Sequence, residues 1–181
     1  MAVSHKLYAK FPLNAAGGDA GGDGPMDLLS DVIKHTLHTG TYAPNQSTDE
    51  TKSNATNELA TAGGYTALGN TLGTKTYASS SLVTTFDAAD SSWTSFTNTF
   101  RYGVIWDDNP TAPADPLISY IDTGGDQTLN GTERSLYVAP TRPASQTGSH
   151  RPLVTRVEGR AFTHAALGGS GSPTATETYN F

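Results

Sequence analysis

FTNTFRYGVIW, residues 96–106, is followed by DDNPTAPADP at 107–116 and then by PLISYID, which starts at Pro116. In the first run the even positions are Phe96, Asn98, Phe100, Tyr102, Val104 and Trp106, and the odd ones are Thr97, Thr99, Arg101, Gly103 and Ile105. Alternation with a period of two is the signature of a pleated strand, whose successive side chains point to opposite faces. The middle stretch contains Pro110, Pro113 and Pro116. Proline lacks the ladder N–H and fixes φ, so this stretch connects two strands and is not one itself. The pattern predicts an all-β, antiparallel protein.

Composition points the same way. Ser and Thr make up nearly a quarter of the 181 residues, and no long helical periodicity runs through Ala, Leu, Glu or Lys. The length suits one domain with arms and a real core. The net charge of −6 argues against general affinity for nucleic acid, yet residues 133–164 carry five Arg against two Glu. With no cysteine, a disulfide framework and thiolate metal sites are excluded. The chain reads as soluble, with neither a membrane span nor a cleaved signal. Asn-x-Ser/Thr triplets at Asn45, Asn54 and Asn130 mark surface loops.

Three regions are expected. Residues 1–27 form an N-terminal arm and Gly-rich hinge, because NAAGGDAGGDGP has too many glycines for helix or sheet. The apolar residues of the arm, among them Leu7, Tyr8 and Phe11, are expected to dock on their own domain or on a neighbour. Residues 28–138 form the β-domain. It opens with a helical turn leading into a strand near 33–37, then a polar loop at 42–53, strands near 74–78 and 81–86, and a short strand at 135–138. The segment after Ile121, DTGGDQTLNGTE, reads as a turn-rich connection. Residues 139–181 form a C-terminal extension with one further strand within 153–164 and a low-complexity tail.

The residue types that carry chemistry do not converge in this pattern. Among His5, His35, His38, His150 and His164 only His35 and His38 are close, and on a strand their spacing sends them to opposite faces. The carboxylates at Asp87 and Asp90, Asp107 and Asp108, and Asp122 and Asp126 have the spacing of turns, and the EF-hand offsets are missing. No Gly-rich phosphate loop and no G-x-S-x-G elbow is present. Hence no catalytic residue, metal ligand or cofactor is expected. Arg101 reads as pairing with an acidic neighbour or meeting another subunit, Trp106 as core, and Trp93 as core or part of a sugar-stacking platform.

Five stretches carry a resemblance: IKHTLHTGTYAPNQSTDE (33–50), NELATAGGYTALGNTL (57–72), FDAADSSW (86–93), FRYGVIWDD (100–108) and PLISYIDTGGDQ (116–127). Their order resembles a family of small structural proteins of tailed-bacteriophage virions, over about residues 28–138. The Gly-rich insertion at 15–24 and the Arg-containing extension after Ala139 depart from that pattern and inherit nothing from it. The resemblance implies a context without a catalytic motif.

The combined expectation is an antiparallel β-sandwich or Ig-like barrel with an N-terminal arm and a C-terminal extension. It would act as a virion structural protein, a capsid decoration or cement protein assembled in the host cytoplasm and seated on the capsid surface. Its expected partners are the major capsid protein and further copies of itself, with no nucleic acid and no membrane. Leu7, Tyr8 and Phe11 of the arm, with Arg142, Arg151, Arg156 and Arg160 of the extension, are the candidate interface residues. The alternatives are a tail or fibre-associated protein binding a host surface through exposed aromatics such as Trp93 or Tyr65, and, more remotely, a carbohydrate-active or metal-dependent enzyme.

Overall fold

A computed structural model describes residues 3–17, 26–80, 83–129, 135–138 and 155–158. The fold is all-β and antiparallel, and its helical content among these residues is one short helix, α1 (Phe11–Ala15), and a 3-10 turn at Lys52–Asn54. The strands are β1 (Ser4–Leu7), β2 (Ile33–His38), β3 (Asn70–Thr71), β4 (Thr76–Ser80), β5 (Val83–Asp87), β6 (Ser91–Trp93), β7 (Thr99–Asp107), β8 (Leu117–Thr128), β9 (Ser135–Val138) and β10 (Thr155–Glu158). They form a five-stranded sheet in the order β1-β8-β7-β2-β3, a three-stranded sheet β10-β9-β6, and the hairpin β4-β5.

The quoted run becomes β7, the central strand, paired with β2 from Ile33↔Asp107 to His38↔Tyr102 and with β8 on its other side. Both its edges are thus paired, and both its faces are covered as well. On one face Tyr102, Val104 and Trp106 pack with Tyr8, Tyr42, Ala55, Leu117 and Tyr120. On the other, Ile105 packs with Ile33, Ile118, Met26, Leu72 and Ala88. Alternation over 102–106 is therefore retained, but Phe100 leaves the even-numbered set. It joins Leu37 and Ile121, the two residues that flank Gly103 across the sheet, together with Phe96, Leu59, Tyr65 and Trp93.

A bulge causes this switch. Phe100 pairs with Gln127 and Tyr102 with Asp122, so Arg101 stands opposite several residues of β8. Gly124 takes φ +78°, a conformation open to glycine at no steric cost. The Asp122 carboxylate accepts the Gly124 N–H at 2.8 Å, and the Thr123 hydroxyl donates to the Arg101 carbonyl at 2.8 Å. The expectation of a turn-rich connection after Ile121 is corrected accordingly: β8 runs on through DTGGDQT to Thr128, since the extra residues are absorbed by the bulge and pairing then resumes.

The N-terminal segment docks on its own domain. β1 adds an antiparallel edge to β8, from Ser4↔Asp122 to Leu7↔Ser119. Tyr8 follows it into the core at 0% exposure, its ring 5.3 Å from Tyr120 and its hydroxyl 2.7 Å from that of Tyr42. The polar loop expected at 42–53 lies over the same face of the sheet, where Leu117 N–H donates to the Glu50 carbonyl and Lys52 N–H to that of Asp115. The covers of both faces thus consist largely of irregular segments. Before β2, a turn at 28–30 is closed by the Asp27 carboxylate, which accepts the N–H groups of Leu29 and Ser30.

Candidate functional site

The seven expected interface residues fall in different places. Leu7 ends β1 and is 45% exposed, Tyr8 is fully buried, and Phe11 is half-buried against the Ile33–Ile105–Ile118 cluster. Tyr8 is thereby corrected from interface to core: its hydroxyl finds a partner only inside the domain, which lets the whole ring be buried. Arg156 lies on β10, opposite Tyr137 of β9. Arg142, Arg151 and Arg160 lie outside the described residues, as do the glycine-rich stretch 18–25 and the expected C-terminal tail. Leu13, in α1, is 46% exposed. Leu7 and Leu13 therefore present apolar surface on either side of a segment that Tyr8 pins down.

The three described histidines are all held neutral inside the sheet. His38 donates from Nδ1 to the Thr56 carbonyl at 2.8 Å, which leaves Nε2 as an acceptor for the Thr36 hydroxyl at 2.9 Å. Burial outweighs these contacts and lowers its pKa to about 4. His35 lies on the opposite face, as its spacing predicts, with Nδ1 3.0 Å from the Ser91 hydroxyl and its ring edge-on to Trp93 at 5.4 Å. Burial lowers it to about 3, and a charge on nearby His5 would oppose its protonation further. His5 itself is lowered to about 4 by burial.

Gly103 makes the room for His35. A Cβ there would stand 2.5 Å from His35 Nε2, and the imidazole is already fixed by Ser91 and Trp93. Gly103→Ala is expected to cost about 1–3 kcal/mol, the range of overpacking in a filled core. Thermal melting checks this; an unchanged melting temperature would mean that the ring moves freely.

Carboxylates are also committed to structure. Burial pushes Asp122 up, but Arg101 Nε at 3.0 Å, Arg101 Nη2 at 3.3 Å and the Gly124 amide outweigh it and hold the carboxylate below its ordinary range. Arg101 therefore has an intrachain partner. Glu58 behaves alike, pushed up by burial yet lowered overall by Lys52 Nζ at 2.8 Å, the Tyr65 hydroxyl at 2.7 Å and the Leu68 amide at 2.5 Å. Asp107 and Asn109 form the expected turn, in which Asp107 accepts the Asn109 N–H at 3.1 Å, Asn109 accepts the Val32 N–H at 2.6 Å, and Asp108 pairs with Lys34 at 3.1 Å. Among the described residues no three His, Asp or Glu side chains are grouped to hold a metal ion.

Trp93 and Tyr65, candidates for an exposed aromatic platform, are corrected to core: they are 3% and 2% exposed and pack together at 6.2 Å. One feature escaped the sequence reading. Thr39, Gly40, Thr41, Thr99, Arg101 and Asp126 line an open polar groove of about 490 Å³. Three distant segments supply it, so no local motif signals it. Arg101 bonds Asp122 through Nε and Nη2, so its remaining guanidinium N–H groups, the threonine hydroxyls and the Asp126 carboxylate are the groove's hydrogen-bonding groups.

No protein-family model matches the chain, and neither a curated protein nor a solved structure is significantly similar to it. No helix among the described residues is long and apolar enough to cross a membrane.

Proposed function

We propose that this chain is a structural protein of a tailed-phage particle, a decoration or cement protein that binds the major capsid protein and neighbouring copies of itself. The observation that carries this reading is the N-terminal segment, anchored by a fully buried Tyr8 while Leu7 and Leu13 remain nearly half exposed. A held backbone presents its apolar side chains at little further entropic cost, and β1 is an edge strand of the sheet. Such surface favours assembly: fully burying an exposed leucine contributes about 1.5–3 kcal/mol, and roughly half of that is still available at each of these two. Symmetry repeats the contact around the particle. The resemblance over residues 28–138 supports the same reading, and the arginines after Ala139 offer a second contact toward an acidic neighbour.

The test is a reconstruction of the virion, with density for this chain expected on the capsid surface between major capsid subunits. Density on the tail would instead make it a tail or fibre component. A Leu7→Lys, Leu13→Lys double variant is expected to melt as the parent does, because both side chains are exposed, and to be retained on particles at least about tenfold more weakly. Equal retention would remove the N-terminal segment from the interface.

A further inference from the structure

Asp107 ends the central strand β7 at 0% exposure. Its Oδ1 accepts the Asn109 N–H, whereas Oδ2 meets no donor among the described residues. The side chain that faces it is another carboxylate, Asp31. Asp31 closes the turn before β2: its Oδ2 accepts the Asp27 N–H at 2.6 Å and its own N–H donates to the Asp27 carbonyl at 2.8 Å. The charged groups around the pair are Asp27, in the same turn, and Lys75, just before β4, whose Nζ donates to the Asp31 carbonyl oxygen. On the far side of β7, Lys34 pairs with Asp108 and Lys52 with Glu58.

Two carboxylates in contact, one of them buried with an oxygen lacking a donor, are costly when both are ionised. A single proton on Asp107 removes both costs, because it cancels one charge and gives the otherwise unpartnered oxygen a hydrogen bond to make. We propose that Asp107 keeps a proton on Oδ2 and donates it to the Asp31 carboxylate, thereby latching the turn 26–31 onto the end of the sheet, and that loss of this proton to solvent releases the turn. What the latch holds is specific. Met26 and Leu28 are delivered by this turn to the cluster of Ile33, Ile105 and Ile118, directly after the glycine-rich stretch that leads from the N-terminal segment.

The titration is consistent with the geometry. Burial raises the Asp107 carboxyl to about 7, with Asp31 adding to the rise and the Asn109 amide and Lys75 opposing it. The folded form thus holds a proton that the unfolded chain has released, so the stabilisation is complete below the ordinary carboxylate pKa near 4. It declines as pH rises and is lost at about 7.

Amide exchange on the full chain tests the latch. Between pH 6 and pH 8.5 the protection factors of Leu29, Ser30 and Asp31 are expected to fall about tenfold or more in the parent, and to stay level in Asp107→Asn. The asparagine amide donates permanently to Asp31 and carries no charge. Should that variant not fold, carboxyl-carbon NMR of the parent is decisive on its own. One aspartate carboxyl is expected to titrate above pH 6. If every aspartate titrates below pH 5, or if protection in the parent does not change with pH, Asp107 holds no such proton and the proposal fails.

Discussion

Replacement of Trp106 by alanine is expected to lower the unfolding free energy by roughly 3–5 kcal/mol, the range for deleting a fully buried aromatic. Trp106 is 2% exposed on the central strand, opposite Lys34 on β2 and Leu117 on β8. It packs within the cluster of Tyr8, Tyr42, Tyr102, Val104, Leu117 and Tyr120, so its loss leaves a cavity that three strands and the 42–55 loop border. Two ammonium groups, Lys34 Nζ and Lys52 Nζ, each stand 5.8 Å from the ring centroid, adding a cation–π contribution. Its indole N–H is buried without a partner among the described residues. Trp106→Phe removes that cost while keeping much of the volume, and is expected to lose less than about 2 kcal/mol. Denaturant unfolding of the two variants checks this. Equal losses would show that the packing contacts unique to the larger indole ring carry the stability and that phenylalanine does not replace them.

Acidification is expected to produce the second large effect. His5, His35 and His38 are neutral in the folded state, with pKa values lowered to about 4, about 3 and about 4. In the unfolded chain they protonate near pH 6.5, so below that pH the unfolded state binds more protons and stability falls. By pH 5 each contributes a loss of up to about 2 kcal/mol, and the three together approach the stability of a typical domain. The Asp107 proton acts in the opposite direction, as one group against three. The carboxylates held low by Arg101 and Lys52 act only below their ordinary range. The urea midpoint should therefore drop steeply from pH 7 to pH 5. A midpoint that holds or rises over this interval would mean that these imidazoles are charged in the native protein.

Tyr8, Leu7 and Leu13 also bear on how the N-terminal segment is understood. Glycine-rich flanks and apolar side chains predict an arm that must dock somewhere, and both hosts satisfy that prediction equally. The choice rests on the edge of β8 and the hydroxyl of Tyr42, which lie far along the chain. With β1 in the sheet, deleting residues 1–13 removes an edge strand and a core tyrosine as well as the exposed leucines, which is why point variants at Leu7 and Leu13 separate assembly from folding.

Period-two alternation in 96–106 and the proline connector that follows it are local features, and so the antiparallel β class and the two strands on either side of the connector were legible from sequence. The placement of His35 and His38 on opposite faces was legible for the same reason, since a strand has only two sides. What lay beyond reach depends on contacts between segments distant in the chain. Phe100 changes face because Arg101 meets Asp122 across a bulge that Gly124 permits. Trp93 and Tyr65 are interior because strand β6 and the 63–69 loop that carry them pack over Leu37 and Ile121. Asp31 and Asp107 look like two ordinary turn residues until β2 and β7 pair at Ile33 and bring their carboxylates together. Local alternation determines which faces a strand offers, whereas the burial of a charge and the face a residue finally takes are decided by which distant segments pack there, because desolvation and bulge geometry depend on all the partners at once.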